Sequence, residues 1–206
     1  LDPALEMVAR GNIDYIAFDN LGELTISDLQ RRRIKEPDKG YADIRRCLGS
    51  VMKPCAEKGI GVITNAGGIN PVAGAQRVVE MAQRQGLKGL KIAAVSGDDT
   101  VGQETRERIA GLRGEGVSLS NMDTGEEFSL PEAGVVGMSV YLGTPPVAEA
   151  LGRGSRVVIT GRYADAALWL APLVYEFGWG ETDWDRLALG TVVGHLLECT
   201  GLVCGG

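Results

Sequence analysis

The feature that most constrains the fold is an alternation of short apolar, β-branched segments with longer helical ones. Most of the short segments are hydrophobic without interruption, which is typical of strands buried on both faces. We place five strands, at residues 13–18, 61–64, 90–95, 135–141 and 156–160. Because helical patterns separate them, we predict an α/β fold with a mostly parallel sheet and helices on both faces.

The helical patterns are bounded by capping residues, glycines and prolines. We predict helices at residues 2–10, 24–35, 42–58 (interrupted near Gly49 and Pro54), 71–85, 103–112, 146–151, 164–177 and 184–199. Residues 114–131 form the one long irregular segment, where Thr124 and Gly125 suggest a small hairpin. No linker divides the chain, so we expect residues 1–206 to form a single α/β domain.

Composition excludes several classes of protein. The chain has 30 glycines among 206 residues, about twice the usual share of about 7%. However, it has only 8 prolines and no three-residue period, which excludes collagen and disordered linkers. A net charge of −6 and 5% aromatic residues argue against a nucleic-acid partner. The glycines therefore belong to a folded protein with many tight turns.

Localisation is predicted from what the chain lacks. No apolar run approaches the roughly 18 residues of a membrane helix, and no signal peptide is recognisable, although the chain begins at Leu1 rather than Met. The cysteines form no Cys-x-x-Cys pair and no familiar zinc spacing; they are Cys47, Cys55, Cys199 and Cys204. We therefore expect reduced thiols, a cytoplasmic protein and no membrane partner.

Each predicted strand is followed by a small, polar, glycine-containing turn. In an open α/β sheet such turns meet at the carboxyl edge of the strands, where ligands bind. We therefore expect a small-molecule substrate at this edge. The candidate substrate-binding residues are Thr64, Asn65, Gly67, Gly68, Asn70, Gly97, Tyr141, Gly143, Gly161, Arg162 and Asp165.

The loop after the second strand, residues 64–71, carries the sharpest motif. Asn70 suits the cap of the next helix and Pro71 its first position, while the paired glycines allow close approach of a ligand to the backbone. The alternative is a tight turn that needs glycine for its dihedral angles alone. We favour an anion site, because capping does not explain Asn65. The loop has neither a Walker ending nor a dinucleotide-binding fingerprint.

Three carboxylates follow predicted strands and are candidate catalytic groups. Asp98 and Asp99 are adjacent and could bind a divalent cation, bind ribose hydroxyls or act as a base. Alternatively, one caps a helix and the other is solvated. Asp19 could act in the same way, or satisfy backbone donors in a neighbouring loop.

Arg162 would suit a carboxylate or phosphate ligand, whereas an internal Arg162–Asp165 pair is the competing interpretation, and both could hold together. His195 is the one histidine of the chain. The apolar residues around it predict a helix buried on all sides. His195 could then be a ligand or an acid–base group beside Glu198 and Cys199, although a core histidine is the commoner case.

Taken together, these motifs resemble the acyclic terpene utilisation (AtuA-type) family, formerly a domain of unknown function. The matching segments occur in order throughout the chain, at residues 1–5, 14–25, 64–71, 97–99, 121–125, 157–162, 176–179, 183–185 and 194–199. The resemblance implies bacterial catabolism of citronellol- and geraniol-type terpenes through acyl-CoA intermediates. It assigns no reaction, so no catalytic residue is taken from it.

This chain also differs from the family's pattern in length and at several positions. Family chains are longer, which implies that this chain is an incomplete version of the main domain. Ser139 and Val140 stand where the family tends to have Asn and Ala, Arg156 where it tends to have an acidic residue, and Leu202 and Cys204 where Gln and Thr are usual. If these side chains contact a ligand, its specificity differs here.

We therefore interpret the chain as an enzyme, or enzyme subunit, that binds a small anionic or CoA-linked substrate. One alternative is a non-catalytic assembly subunit of an acyl-CoA enzyme. The other is a metal-dependent hydrolase or lyase that uses Asp98, Asp99 and His195. A divalent metal as cofactor stays open, and we expect a homo-oligomer or a partner enzyme subunit.

Overall fold

The computed structural model describes residues 3–36, 38–101, 103–129 and 135–199. Four strands lie within these ranges: β1 Tyr15–Phe18, β2 Gly61–Thr64, β3 Ile92–Val95 and β4 Val157–Thr160. The helices there are α1 Pro3–Arg10, α2 Glu23–Arg33, α3 Ile44–Leu48, α4 Met52–Lys58, α5 Pro71–Arg84, α6 Gln103–Gly114, α7 Pro145–Gly152, α8 Ala167–Phe177 and α9 Trp184–Cys199.

The four strands form one parallel sheet in the order β1-β2-β4-β3. Phe18 is in register with Thr64, and Thr64 in turn with Ile159. Every residue of the two central strands, β2 and β4, is buried. This burial explains their unbroken apolar sequences, and the predicted α/β class is confirmed.

Alternate residues of the central strands enter two separate cores. Val62, Val157 and Ile159 pack with helices α3, α4 and α5 on one face. Ile63 and Val158 pack with α7 and α8 on the other face. The expectation of helices on both faces is confirmed.

After the two neighbouring central strands, the chain crosses to opposite faces of the sheet. After β2 it enters α5, on the face of the first core, whereas after β4 it enters α8, on the opposite face. In open α/β sheets, loops that diverge from adjacent strands leave a crevice at the carboxyl edge, and ligands bind there. The order of elements therefore predicts a ligand site between the loops after β2 and β4, although the cleft beside Arg162 lies between α2 and residues 136–141.

The predicted strand at residues 135–141 was wrong. This segment forms an isolated antiparallel bridge between Ser139 and Asp99. Its backbone bonds to the loop after β3 rather than to a strand, because the Val140 N–H donates to the Asp98 carbonyl at 2.8 Å and the Met138 carbonyl accepts from Thr100. The segment therefore covers the carboxyl edge instead of extending the sheet.

The expectation that the last helix is buried on all sides was also wrong. Helix α9 packs against α8 through Gly190 and Gly194, where an added Cβ would collide with Leu170 and Ala166. Its other apolar residues are largely exposed: Trp184 (70%), Leu189 (65%), Val192 (56%), Leu196 and Leu197. Helix α8 covers only the glycine side of α9, so the other faces of α9 are exposed to solvent.

Smaller predictions fared better. The interrupted helix at 42–58 is two helices, and the Asp43 side chain caps α3 by accepting from the Arg46 N–H at 3.1 Å. The suggested hairpin at Thr124 and Gly125 is confirmed by a bridge between Ser120 and Glu127.

Within the described part of the chain, no helix combines the length and apolar character that crossing a bilayer requires.

Candidate functional site

A closed hydrogen-bond network joins the ends of β1 and β2. The Asn65 side chain is 1% exposed, and its Oδ1 accepts from the Asn20 backbone N–H at 2.7 Å while its Nδ2 donates to Asp19 Oδ1. Asn20 Nδ2 donates to Thr64 Oγ1 at 2.9 Å, and that hydroxyl donates to the Phe18 carbonyl. Thr64, Asn65 and Asp19 therefore hold two loops together.

The glycine loop after β2 is packed against the protein itself. A Cβ on Gly67 would collide with the Thr160 carbonyl, and one on Gly68, whose φ is +59°, would collide with the Gly40 carbonyl. Asn70 caps α5, as predicted, because its Oδ1 accepts from the Ala73 N–H at 3.1 Å. The glycines thus allow backbone to approach backbone, and anion binding by this loop remains a prediction.

Asp98 lies in a tight cradle between the loops after β3 and β4. Its side chain is 1% exposed, and its Oδ2 accepts from the Arg162 backbone N–H at 2.6 Å. A Cβ on Gly161 would overlap the carboxylate, so only glycine leaves room for it. Asp98 Oδ1 is buried without a hydrogen-bond partner. Burial raises the pKa of the Asp98 carboxyl above its ordinary value of 3.8, and the charge of Asp99 acts in the same direction.

Asp99 has different surroundings, although it is the next residue. Its Oδ1 accepts from Gln30 Nε2 at 3.0 Å, and its Oδ2 accepts from the Arg33 guanidinium. Asp99 forms an ion pair with Arg33, whereas Asp98 has no such ion pair among the described residues. Two adjacent aspartates in unlike environments are typical of sites that separate acid and base roles.

Arg162 joins three parts of the carboxyl edge. Its Nη1 donates to the Leu21 carbonyl and to Asp165 Oδ1, both at 2.9 Å, and its Nη2 donates to Glu23 Oε1 at 3.0 Å. Its guanidinium lies 4.2 Å from the centre of the Tyr141 ring. The Arg162–Asp165 pair proposed as the competing interpretation is present. An anionic ligand of Arg162 would therefore replace or join carboxylates that already bind it.

A cleft of about 310 Å³ lies beside this cluster, between α2 and the segment at 136–141. Its size is at the lower end of the range for small-molecule sites. The lining residues are Glu23, Ile26, Ser27, Gln30, Val136, Gly137, Met138, Ser139 and Tyr141. The Tyr141 hydroxyl donates to Glu23 Oε1 at 2.8 Å at the end of the cleft next to Arg162.

The remaining candidates are spread more widely. Gly97 has a φ of +117° in the turn after β3, and Gly143 is exposed in the turn before α7. His195 is exposed on α9. The described residues contain no group of three His, Cys, Asp or Glu side chains placed to hold a metal ion. Asp98, Asp99 and His195 are therefore not brought together as one three-ligand group, and the metal-dependent alternative stays a prediction.

Sequence reasoning missed Gln30 and Arg33, which connect α2 to Asp99, because the charges around residues 31–33 favour a solvated helix face. The available signal was spacing, since Glu23, Ile26, Gln30 and Arg33 recur at intervals of three and four and so share one side of a helix. That side carries Glu23 towards Arg162 and Arg33 towards Asp99.

Comparisons with known proteins agree with the resemblance noted in the sequence. A search of curated proteins and a search of solved structures each find no match. The family model for "acyclic terpene utilisation family protein AtuA" matches residues 1–206, the whole of this chain. The chain therefore belongs to the acyclic terpene utilisation (AtuA) family.

Proposed function

We propose that this protein is an enzyme, or an enzyme subunit, of acyclic-terpene catabolism that binds a small substrate at the carboxyl edge of its sheet. The family supplies the metabolic context. The observation that supports a ligand site is the cleft between α2 and residues 136–141, which adjoins the Arg162 cluster and the Gln30–Asp99 contact. An apolar cleft with a few convergent polar groups is the usual form of a small-molecule site.

Acid–base chemistry is the reaction type that we assign to this edge. Asp98 has a raised pKa and an unpartnered oxygen, and Asp99 beside it is ion-paired. A carboxyl group whose pKa is brought towards neutrality transfers protons most effectively near neutral pH. We place the substrate in the cleft, and a CoA group, where present, outside it because of the small volume.

Thermal-shift titration tests this proposal. The panel contains coenzyme A, short acyl-CoAs, nucleotides, and free acids and alcohols of eight to ten carbons. We expect at least one acyl-CoA, acid or alcohol to raise the Tm of the wild-type protein. Ile26→Trp fills the cleft and should abolish that shift, whereas Val72→Trp, on the exposed side of α5, should keep it. If a folded wild-type protein responds to no compound, the proposal is wrong.

The second candidate function is a non-catalytic assembly subunit of an acyl-CoA enzyme. The exposed apolar residues of α9 favour it, because monomeric proteins rarely leave large contiguous apolar patches uncovered. Under this proposal Leu189→Glu and Val192→Glu would abolish self-association or co-purification with a partner enzyme, and Ile26→Trp would have no effect. Light scattering after size-exclusion chromatography distinguishes the two functions.

A further inference from the structure

Strand β3 is open on the side away from β4. It is the last strand in the order of the sheet, and no strand among the described residues pairs with its outer side. Proteins commonly protect such an edge with charged side chains, proline, a bulge or a covering element, because unpaired N–H and C=O groups bind other strands. The residues of β3 are Ile92, Ala93, Ala94 and Val95, so neither charge nor proline protects this edge.

The backbone groups of Ile92 and Ala94 point to the open edge. The Lys91 carbonyl accepts from the β4 side, since it lies 2.8 Å from the backbone nitrogen of the residue that precedes β4. Backbone groups of successive strand residues point to opposite sides of the strand. Those of Ala93 and Val95 therefore face β4, and those of Ile92 and Ala94 face outwards.

A groove of about 690 Å³ follows this edge, between β3 and α7. All four residues of β3 line it, although Ile92 packs against the first core and Ala93 against the second. Residues from both faces of a sheet line the same groove when that groove runs along the sheet's edge. Ala94 is exposed, and both alanines are small, so another backbone has room to come close.

A second copy of β3 is a matching partner for this edge. If two copies pair antiparallel about a two-fold axis at Ala93, Ile92 of each copy lies opposite Ala94 of the other. The outward-pointing groups of both residues then exchange N–H···O bonds, while the two Ala93 residues form the close pair without such bonds. A symmetric dimer needs a surface that complements itself in this way.

The α7 side of the groove also complements itself. Glu149 and Arg153 line it one turn apart on α7 and form an ion pair with each other. The two-fold axis reverses the direction of the second α7, so the acidic position of one copy approaches the basic position of the other. A partner with charge of one sign would match only one of these two positions, whereas a second copy matches both.

We propose that two copies of this chain dimerise through antiparallel pairing of their β3 strands, which joins the two four-stranded sheets into one continuous sheet. This interface does not depend on the proposed ligand site, because the cleft lies between α2 and residues 136–141. It also differs from the exposed apolar surface of α9, which packs against α8.

Sedimentation velocity and residue-resolved amide exchange by NMR, both measured over a concentration series, test the pairing. We expect a dimer whose population rises with concentration, and in it the Ile92 and Ala94 amides should exchange at least about tenfold more slowly than in the monomer. The Ala93 and Val95 amides, which face β4, should exchange slowly at every concentration. The proposal is wrong if the chain stays monomeric, if the dimer leaves Ile92 and Ala94 unprotected, or if the monomer already protects them.

Ala94→Pro removes an N–H that the second copy alone would use, and proline is tolerated on edge strands. It should weaken dimerisation at least about tenfold. Leu189→Glu, on the exposed surface of α9, is the control and should leave the dimer unchanged. If Leu189→Glu dissociates the dimer and a folded Ala94→Pro protein does not dissociate, the interface lies on α9 and the proposal is overturned.

A charge swap tests the same arrangement even if Ala94→Pro unfolds. Glu149→Arg sets like charges against each other across the two-fold axis, so we expect dimerisation about three- to tenfold weaker. The double variant Glu149→Arg/Arg153→Glu restores opposite charges and should regain the wild-type affinity. Glu104→Arg, on the exposed surface of α6, should have no effect. Equal affinities of the single variant, the double variant and the wild type would contradict the two-fold arrangement.

Discussion

The two halves of the carboxyl edge differ in how completely the protein satisfies its own polar groups. At β1 and β2, the Asn65 side chain, the Asn20 amide and the Thr64 hydroxyl all have partners within the network. At β3 and β4, by contrast, Asp98 Oδ1 and Arg162 Nε are buried without partners. The first half is a brace, by which we mean a hydrogen-bond network that joins two loops. The second half contains buried polar atoms without partners, and it lies beside a cleft. The second half is therefore where we place the proposed chemistry.

The largest expected effect comes from breaking the brace. Asn65→Ala removes the acceptor of the Asn20 N–H and the donor to Asp19, and the Asn65 side chain is buried, so we expect a loss of about 3 kcal/mol in the free energy of unfolding. Urea denaturation measures it. Asn121→Ala, in an exposed turn, should cost less than about 1 kcal/mol. A small effect of Asn65→Ala would mean that the network is not a brace.

Gly161→Ala is expected to have the next largest effect, in the other half of the edge. The new Cβ would overlap the Asp98 carboxylate, so we expect a loss of about 2 kcal/mol. Gly111→Ala is the matched control, because a Cβ on this residue of α6 meets nothing within 4 Å. It should stabilise the protein by up to about 1 kcal/mol, since alanine is the better helix former. Equal effects of the two substitutions would contradict the close packing at Gly161.

Asp98→Asn should change the pH dependence of stability. The folded pKa of Asp98 is raised, so the folded state binds the proton more tightly than the unfolded state does. The contribution of Asp98 to stability is therefore fully present below about pH 3.8 and is lost as the pH rises through the folded pKa of Asp98. The Asp98→Asn variant does not lose stability in this way, because asparagine does not titrate. The unfolding free energy of Asp98→Asn minus that of the wild type should therefore increase from pH 4 to pH 8, with a slope of up to about 1.4 kcal/mol per pH unit. Urea denaturation at the two pH values measures this difference.

Asp99→Asn provides the contrast, because Asp99 is paired with Arg33 and should be needed as a carboxylate. It should destabilise the protein at neutral pH. If Asp98→Asn also destabilised the protein most at high pH, the assignment of unlike roles to the two aspartates would be wrong.

The smallest effect is expected for Tyr141→Phe. The ring over Arg162 remains, and the substitution removes one hydrogen bond, to the exposed Glu23 carboxylate. We expect less than about 1 kcal/mol in urea denaturation. Ligand binding in the cleft should weaken more than stability does, since Tyr141 lines it. Tyr175→Phe, an exposed tyrosine on α8, should change neither quantity.

The fold was largely predictable from sequence because burial on both faces leaves a strong local signal. The continuous apolar residues of β2 and β4 marked the two central strands, and Asn70 with Pro71 marked the start of α5. Residues 135–141 were misassigned because their valines resemble a strand, although their backbone bonds to a loop. Whether residues 1–206 are one domain stays a prediction.

The site was less predictable, because its chemistry depends on contacts distant in the chain. Sequence identified Asp98 and Asp99 as a pair, but not that one is buried alone while the other is ion-paired with Arg33, 66 residues away. Likewise, Arg162 was identified as an anion binder, and its contact with Glu23 spans 139 residues. Local patterns select the residue types at a sheet edge, whereas tertiary packing decides which of them remain available.

The position of β4 has a consequence for how the chain folds. It is the last of the four strands in sequence, yet it lies between β2 and β3. During synthesis, β2 and β3 therefore emerge with unpaired edges until residue 160 has been made, and such edges can pair with other chains. Nascent chains that stop before β4 should be the aggregation-prone species, and release of β4 from the ribosome should be the step that closes the sheet.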